Sequence, residues 1–118
     1  MAELATERQY VGDGWQPLID EIDARILDYC GPYEVLQIKE KFGGLRFYWA
    51  ATEGTPESSV KQARDYVHEQ EALSFTICEW CGQPGENEAP HGWYKTLCYE
   101  HREEDNQRHA QERGNRIT

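Results

Sequence analysis

Apolar residues recur every three or four positions early in the chain, and this spacing predicts an amphipathic helix. Acidic side chains occupy the opposite face, Pro17 suits the first helical turn, and Gly31 and Pro32 end the helix. The residues on the apolar face are Leu18, Ile19, Ile22, Ile26 and Tyr29. Cys30, at the end of this helix, has no second donor beside it and is predicted to be a small buried residue.

A β-hairpin is predicted next. Strand-like residues run from Tyr33 to Glu40, and Gly43 and Gly44 supply the turn. In the second strand the side chains that alternate onto one face are Leu45, Phe47 and Trp49. This apolar side of the hairpin is expected to pack on the first helix.

A second helix is predicted to begin at Thr55, Pro56 and Glu57, with Thr55 as its cap and Pro56 in the first turn. Its thin apolar stripe consists of Val60, Ala63 and Val67, with Leu73 as a further candidate. Two short strands follow, over residues 75–77 and 93–97. A polar helix from Cys98 to about Gly114 completes the chain.

These elements predict an α+β fold in which a helix, a β-hairpin and a second helix form one core. A treble-clef-like zinc module that ends in the polar helix follows. The predicted division is a flexible N-terminal segment over 1–14, an α/β core over 15–74 and a zinc-binding module over 75–118.

Four residues spaced as Cys-x₂-Cys-x₁₆-Cys-x₂-His are the strongest chemical signal in the chain. Thiolate and imidazole donors at this spacing predict a tetrahedral Zn²⁺ site. The ligands are Cys78, Cys81, Cys98 and His101. Because all four positions are filled by the protein, none is open to water or substrate, and the sequence predicts one structural zinc ion.

Two other roles for the cysteines stay open. Cys30 could supply the fourth sulfur of two disulfides, and Cys78 and Cys81 could form a redox dithiol. The first residues carry neither a basic start nor an apolar stretch, so a cytoplasmic, reducing location is expected. The turn formed by residues 82–85 also differs from the helix start at which redox dithiols normally lie. Zinc is therefore favoured.

Composition and charge limit the partners of the protein. The chain has 118 residues with a formal net charge of −10. Such a chain is repelled by phosphate backbones unless its few cations cluster, so nucleic acid is disfavoured and a protein partner is favoured. The apolar runs are too short to span a membrane.

The predicted hairpin turn is the best candidate for a binding surface. Lys39, Lys41 and Arg46 lie around the glycine turn with Phe42, and an exposed aromatic residue among charges can anchor a protein partner. The same cations beside aromatic residues could instead hold nucleic acid. A purely structural role for the aromatic residues also remains open.

Evidence for an enzyme is weak. The chain has no glycine-rich phosphate loop, serine nucleophile motif or His-Glu-x-x-His motif. Because treble-clef modules also scaffold metal-dependent nucleases, His68, His91 and His109 are candidates for a base or a ligand. His91 is predicted to be an exposed turn residue and His109 a solvated helix residue. A non-catalytic protein is therefore expected, with a nuclease as the minor alternative.

Three segments together resemble a family of small proteins from tailed phages and prophages. They are Gln37–Tyr48, which contains the sequence Ile-Lys-Glu-Lys-Phe-Gly-Gly-Leu-Arg-Phe-Tyr, and the ligand segments Cys78–Gly82 and Gly92–His101. The similarity extends from about Trp15 to His101. It implies a phage or prophage origin and zinc at the four matching positions, and it implies no reaction.

Small phage accessory proteins often bind and redirect a host protein, including host defence complexes. The resemblance and the residues together predict a non-enzymatic zinc-binding accessory protein that binds a host or phage protein in the host cytoplasm. A zinc-finger protein that binds nucleic acid is the alternative prediction.

Overall fold

Two helices cover one face of a β-hairpin, and a second, smaller hairpin leads into a long C-terminal helix. The computed structural model describes the backbone of residues 9–117 and the side chains of residues 11–112. The elements are β1 (Gln9–Tyr10), α1 (Gln16–Cys30), β2 (Tyr33–Lys41), β3 (Gly44–Ala51), α2 (Glu57–Leu73), β4 (Glu86–Glu88), β5 (Lys95–Leu97) and α3 (Tyr99–Ile117). The predicted α+β fold is confirmed.

The main sheet has the strand order β1-β2-β3. β2 and β3 are antiparallel, with Lys39 opposite Arg46 and Lys41 opposite Gly44, and β1 lies parallel to β2. The register shifts between Val35 and Gln37, which marks a β-bulge. Residues directly opposite each other in such a pair share one face of the sheet.

The core lies between α1, α2 and the inner face of this sheet. Its residues are Trp15, Ile19, Ile22, Ile26, Tyr33, Val35, Ile38, Leu45, Phe47, Ala63 and Val67. The apolar periodicity of the first helix and the alternation of the second strand therefore predict the buried faces. Inside the core, the Tyr33 hydroxyl donates a hydrogen bond of 2.6 Å to the Asp23 carboxylate. Burial and this carboxylate raise the pKa of Tyr33.

Side chains from the end of α2 protect the free edge of β3. The backbone N–H of Leu45 donates to Ser74 Oγ at 2.8 Å, and that of Phe47 donates to Glu71 Oε2 at 2.8 Å. An unpaired strand edge invites association with other strands, so these bonds both satisfy buried donors and cover the edge.

Two local predictions are wrong. Residues Ser74–Thr76 form a 3₁₀ turn, and only Ile77 makes an isolated bridge, to Pro84, where a strand over 75–77 is predicted. Thr55 does not cap α2: its hydroxyl donates to Thr52 O at 2.6 Å, and Pro56 is the residue that precedes the helix. In both places short-range hydrogen bonds to backbone carbonyls take the place of the predicted strand or cap.

The C-terminal segment packs directly on the core. Trp15, which is fully buried, donates through Nε1 to the carbonyl of Ile77 at 2.9 Å. The backbone N–H of Gly14 donates to Glu79 O at 2.7 Å, and a Cβ atom at position 14 would collide with the carbonyl oxygens of Cys78 and Glu79. Glycine is therefore required at this close approach. Most of the predicted flexible segment, residues 1–8, lies outside the described residues.

Candidate metal centre

The four predicted ligands converge on one point. The Sγ atoms of Cys81 and Cys98 are 3.7 Å apart. Nδ1 of His101 lies 3.4 Å from Cys78 Sγ and 3.3 Å from Cys98 Sγ. Donor atoms around a tetrahedral ion with metal–sulfur bonds of about 2.3 Å are about 3.5–3.8 Å apart. The donor set and its spacing therefore fit a metal ion without rearrangement of the backbone.

Local backbone geometry places each pair of ligands. A tight turn after Cys78 brings Cys81 back toward it: the N–H of Gly82 donates to Cys78 O at 2.9 Å, and Gly82 has a φ of +84°, which glycine adopts freely. Cys98 directly follows β5, and His101 lies in the first turn of α3. The turn before β4 presents Cys78 and Cys81, and the start of α3 presents Cys98 and His101, to the same point.

The surroundings shift the pKa values of two of the ligand thiols in opposite directions. Burial raises the pKa of Cys78, but hydrogen bonds from backbone N–H groups at Cys98 and Cys81 lower it more, to about 6. The backbone N–H of Gln83 lowers the pKa of Cys81, but burial and the two neighbouring sulfur atoms raise it more, to about 11. One thiolate thus opposes ionisation of the next. A bound cation removes this opposition, so metal binding and loss of the thiol protons are coupled.

Trp80 shields one side of the centre. Its ring meets the His101 ring edge-on, with centroids 5.3 Å apart. Two cations lie over the Trp80 ring, Lys95 at 5.9 Å and Arg108 at 5.1 Å.

The cysteines differ in exposure. Cys78 is fully buried, whereas Cys81 is exposed. Cys30 lies in α1, away from the cluster, and is half-buried, and burial raises its pKa.

The three cations predicted to bind a partner lie on one face of the sheet. Lys39 is directly opposite Arg46, and Lys41 is two residues along the same strand, so all three lie on the sheet face opposite the buried Ile38 and Phe47. Lys39 Nζ lies 5.5 Å from the centre of the Tyr48 ring. Arg46 is partly engaged, because its Nη1 lies 3.9 Å from Glu71 Oε1.

Phe42, the fourth predicted partner-binding residue, lies in the hairpin turn and not on this face of the strands. It occupies the hairpin turn with a φ of +55° and is 65% exposed, and Lys41 Nζ is 5.8 Å from the centre of its ring. Asn87 Nδ2 donates to its carbonyl at 3.0 Å, which ties the turn to β4. Phe42 lines a groove of about 510 Å³ with residues of the metal-binding segment. The other lining residues are Glu40, Glu79, Trp80, Gly92, Trp93, Tyr94 and Lys95.

The predictions that His91 is exposed and His109 is solvated are wrong. The two rings stack, with centroids 3.9 Å apart and planes 14° from parallel, and the His109 side chain is only 20% exposed. Asp105, which sequence reasoning missed, lies beside them with one oxygen 3.7 Å from His109 Nε2. The spacing of four residues from Asp105 to His109 was the available signal, because it places both on one helix face. His68 is exposed on α2 and belongs to no such cluster among the described residues.

No family model, curated protein or solved structure matches this chain. Among the described residues, no helix combines the length and the apolar character needed to cross a membrane. The site geometry and surface chemistry are therefore the basis on which a function can be argued.

Proposed function

We propose that this protein is a non-enzymatic, zinc-stabilised accessory protein of a phage or prophage that binds a host or phage protein. The observation that carries the proposal is the groove beside the metal centre, where Phe42, Trp93 and Tyr94 expose their rings. Interference with a host defence complex is one action that such binding would allow.

Zinc is the proposed ion, with a structural role. Three thiolates and one imidazole at tetrahedral spacing are typical of structural zinc. With Cys78, Cys81, Cys98 and His101 all bound, the ion has no open position for water or substrate. The ion would hold the turn that carries Trp80 and the start of α3 in place, and so would shape one wall of the groove.

The exposed aromatic residues support a binding role because they are concentrated around one concavity. Phe42 is 65% exposed, Trp93 63% and Tyr94 51%. Single exposed apolar side chains are ordinary, but several around one groove are typical of interaction sites. Large aromatic side chains also contribute much of the binding energy at many protein interfaces.

The chemistry of the groove favours a basic segment of a partner protein. Glu40 and Glu79 line it, and the chain as a whole carries a net charge of −10. Its one lining cation, Lys95, is paired with Asp105 at 2.7 Å. A lysine or arginine of the partner could therefore approach the carboxylates and lie over the face of Trp93.

The test is a capture experiment with matched variants. Zinc-loaded wild type, Phe42→Ala, Trp93→Ala and the control Tyr99→Ala are used to capture proteins from lysates of uninfected and phage-infected bacteria. Tyr99 is 80% exposed in the same segment but does not line the groove. A captured protein is then purified, and its affinity for each variant is measured by calorimetry.

We expect one defined protein whose binding is weakened about 30-fold or more by Phe42→Ala or Trp93→Ala, corresponding to about 2 kcal/mol at an interface hot spot. Tyr99→Ala should bind as wild type does. A partner that binds all four proteins equally, or the capture of no protein, would contradict the proposal.

Nucleic-acid binding is the second candidate, and the shared face of Lys39, Lys41 and Arg46 favours it more than the sequence does. The net charge still opposes it, and one of the three cations lies near Glu71. We expect weak binding to DNA or RNA that falls steeply with added salt. Tight binding at near-physiological salt that is lost when all three cations are replaced by glutamine would place this candidate first.

A further inference from the structure

A second group of metal-binding side chains lies apart from the cysteines. His91, in the loop between β4 and β5, meets Asp105 and His109 of α3. One ligand atom from each of these three residues lies within 4.8 Å of the others. We propose that they form a second metal site, which takes a divalent transition-metal ion such as zinc, cobalt, nickel or copper.

The donor set defines this class of ion. Two imidazoles and one carboxylate suit first-row transition metals, whereas magnesium and calcium prefer oxygen ligands alone. Donor atoms around a four-coordinate ion of this class are about 3.3 Å apart, given bonds of about 2.0–2.1 Å. Side-chain rotations that bring the three atoms together by up to about 1.5 Å would complete the site. Three protein ligands leave at least one position for water, unlike the cysteine centre.

The two histidine rings lie directly against each other. His91 and His109 stack with centroids 3.9 Å apart. Imidazole binds a metal ion in its neutral form, and this neighbouring pair of rings offers two nitrogen donors to one ion.

A hydrogen bond orients His91 in the way that is usual for a metal-binding histidine. Nε2–H of His91 donates to Asn106 Oδ1 at 2.7 Å, which leaves Nδ1 of that ring with its lone pair. On His109, Nε2 faces Asp105, and Nδ1 lies 4.0 Å from Glu112 Oε2, which is too far for a hydrogen bond. Hydrogen-bond acceptors on the far nitrogen of a ligating histidine fix the ring and increase its basicity.

Asp105 is held ready by its own partner. Its side chain is 4% exposed, and Lys95 Nζ lies 2.7 Å from Oδ1. A carboxylate has about four lone-pair positions, so it can accept this bond and still bind an ion. The Lys95 side chain is 28% exposed and has room to move toward solvent as the ion enters.

The consequence of metal binding would be a clamp between the loop and the helix. His91 lies in the segment between β4 and β5 that also carries Trp93, whose ring centroid is 6.4 Å from that of His109. An ion held by both elements would fix this segment against α3. Metal in this site would therefore limit the motion of one wall of the groove, whichever partner the groove takes.

The test uses Co²⁺ as a spectroscopic probe on the full chain already loaded with one equivalent of Zn²⁺. Cobalt binds more weakly than zinc in the usual affinity order and should not displace it from the thiolates. We expect one further equivalent of Co²⁺ to bind, with a ligand-field spectrum and no thiolate charge-transfer band. His109→Gln and His91→Gln should each weaken this binding at least about tenfold, since they remove a direct ligand.

His68→Gln is the matched control, because His68 is exposed on α2 and should leave the second equivalent unchanged. Circular dichroism and zinc content measured for every variant establish that each one is folded and retains its first ion. Absence of a saturable second equivalent overturns the proposal. So does cobalt binding that persists in both His91→Gln and His109→Gln, or a thiolate charge-transfer band in place of the ligand-field spectrum alone.

Discussion

The helix–hairpin–helix core and the C-terminal segment are held together by different kinds of interaction. In the core, aliphatic and aromatic side chains from two helices and two strands fill one interior. From residue 75 to residue 112, the buried side chains are Cys78, Leu97, Thr96, Arg102 and Asp105. Only Leu97 among these is an ordinary hydrocarbon side chain. The C-terminal segment therefore depends on its metal ligands and its polar bonds where the core depends on apolar burial.

Because of this difference, we expect the two regions to unfold under different conditions. A short segment with so little apolar burial cannot offset the entropy of ordering its backbone. A metal ion bound by residues far apart in the chain supplies that free energy instead. The core has its own apolar interior and should tolerate loss of the ion. The following three predictions test this contrast, in order of expected effect.

Removal of a metal ligand should give the largest effect. Cys81→Ser is expected to lose zinc and unfold at least residues 75–105, because metal-coupled folding supplies on the order of 10 kcal/mol in isolated zinc modules. Native mass spectrometry measures the zinc, and amide hydrogen exchange compares the segment with α1. Cys30→Ser is the control, because Cys30 lies outside the cluster. Equimolar zinc in Cys81→Ser would disprove the ligand assignment, and loss of protection in α1 would show that the core depends on the ion.

A cavity in the core should have the next largest effect and leave the metal in place. Ile38 is fully buried, and Ile38→Ala should lower the free energy of unfolding of the core by about 2–5 kcal/mol. Leu36→Ala in the same strand is the control: Leu36 is 47% exposed, and the change should be within about 0.5 kcal/mol. Urea unfolding of the zinc-loaded proteins measures both. Zinc lost from folded Ile38→Ala would contradict the separation of the two regions.

A polar substitution in the C-terminal segment should give the smallest effect. The guanidinium of Arg102 donates to Glu86 O at 3.1 Å and to Lys95 O at 2.8 Å, which joins α3 to both strands of the small hairpin. Arg102→Ala should cost about 1–3 kcal/mol, because it leaves carbonyl groups without their donor. Faster hydrogen exchange in β4 and β5 of the zinc-loaded protein is the expected readout. Arg108→Ala is the control: the Arg108 side chain is 61% exposed, so this change should alter hydrogen exchange in β4 and β5 little. Equal effects of the two substitutions would refute the role of Arg102.

Repeating patterns made much of the fold predictable from sequence. Burial of apolar side chains drives folding, so the buried face of an element leaves a pattern in its sequence. The helical spacing of Ile19, Ile22 and Ile26 and the alternation of Leu45 and Phe47 are such patterns. Short elements were predicted less well. The 3₁₀ turn at Ser74–Thr76 depends on hydrogen bonds to α2 and β3 that local sequence does not specify.

The candidate metal centre was also predictable, since the type and spacing of the ligands are enough to specify its chemistry. The sequence alone therefore determined the α+β class, the buried faces of α1 and β3, and the four side chains that converge at the centre. Only the tertiary structure placed Lys39, Lys41 and Arg46 on one face, gathered Phe42 and Trp93 around one groove, and stacked His91 on His109. These arrangements bring together residues that are distant in the chain, or they depend on the register between two strands. The packing of the two regions decides them, and no local pattern of residues encodes that packing.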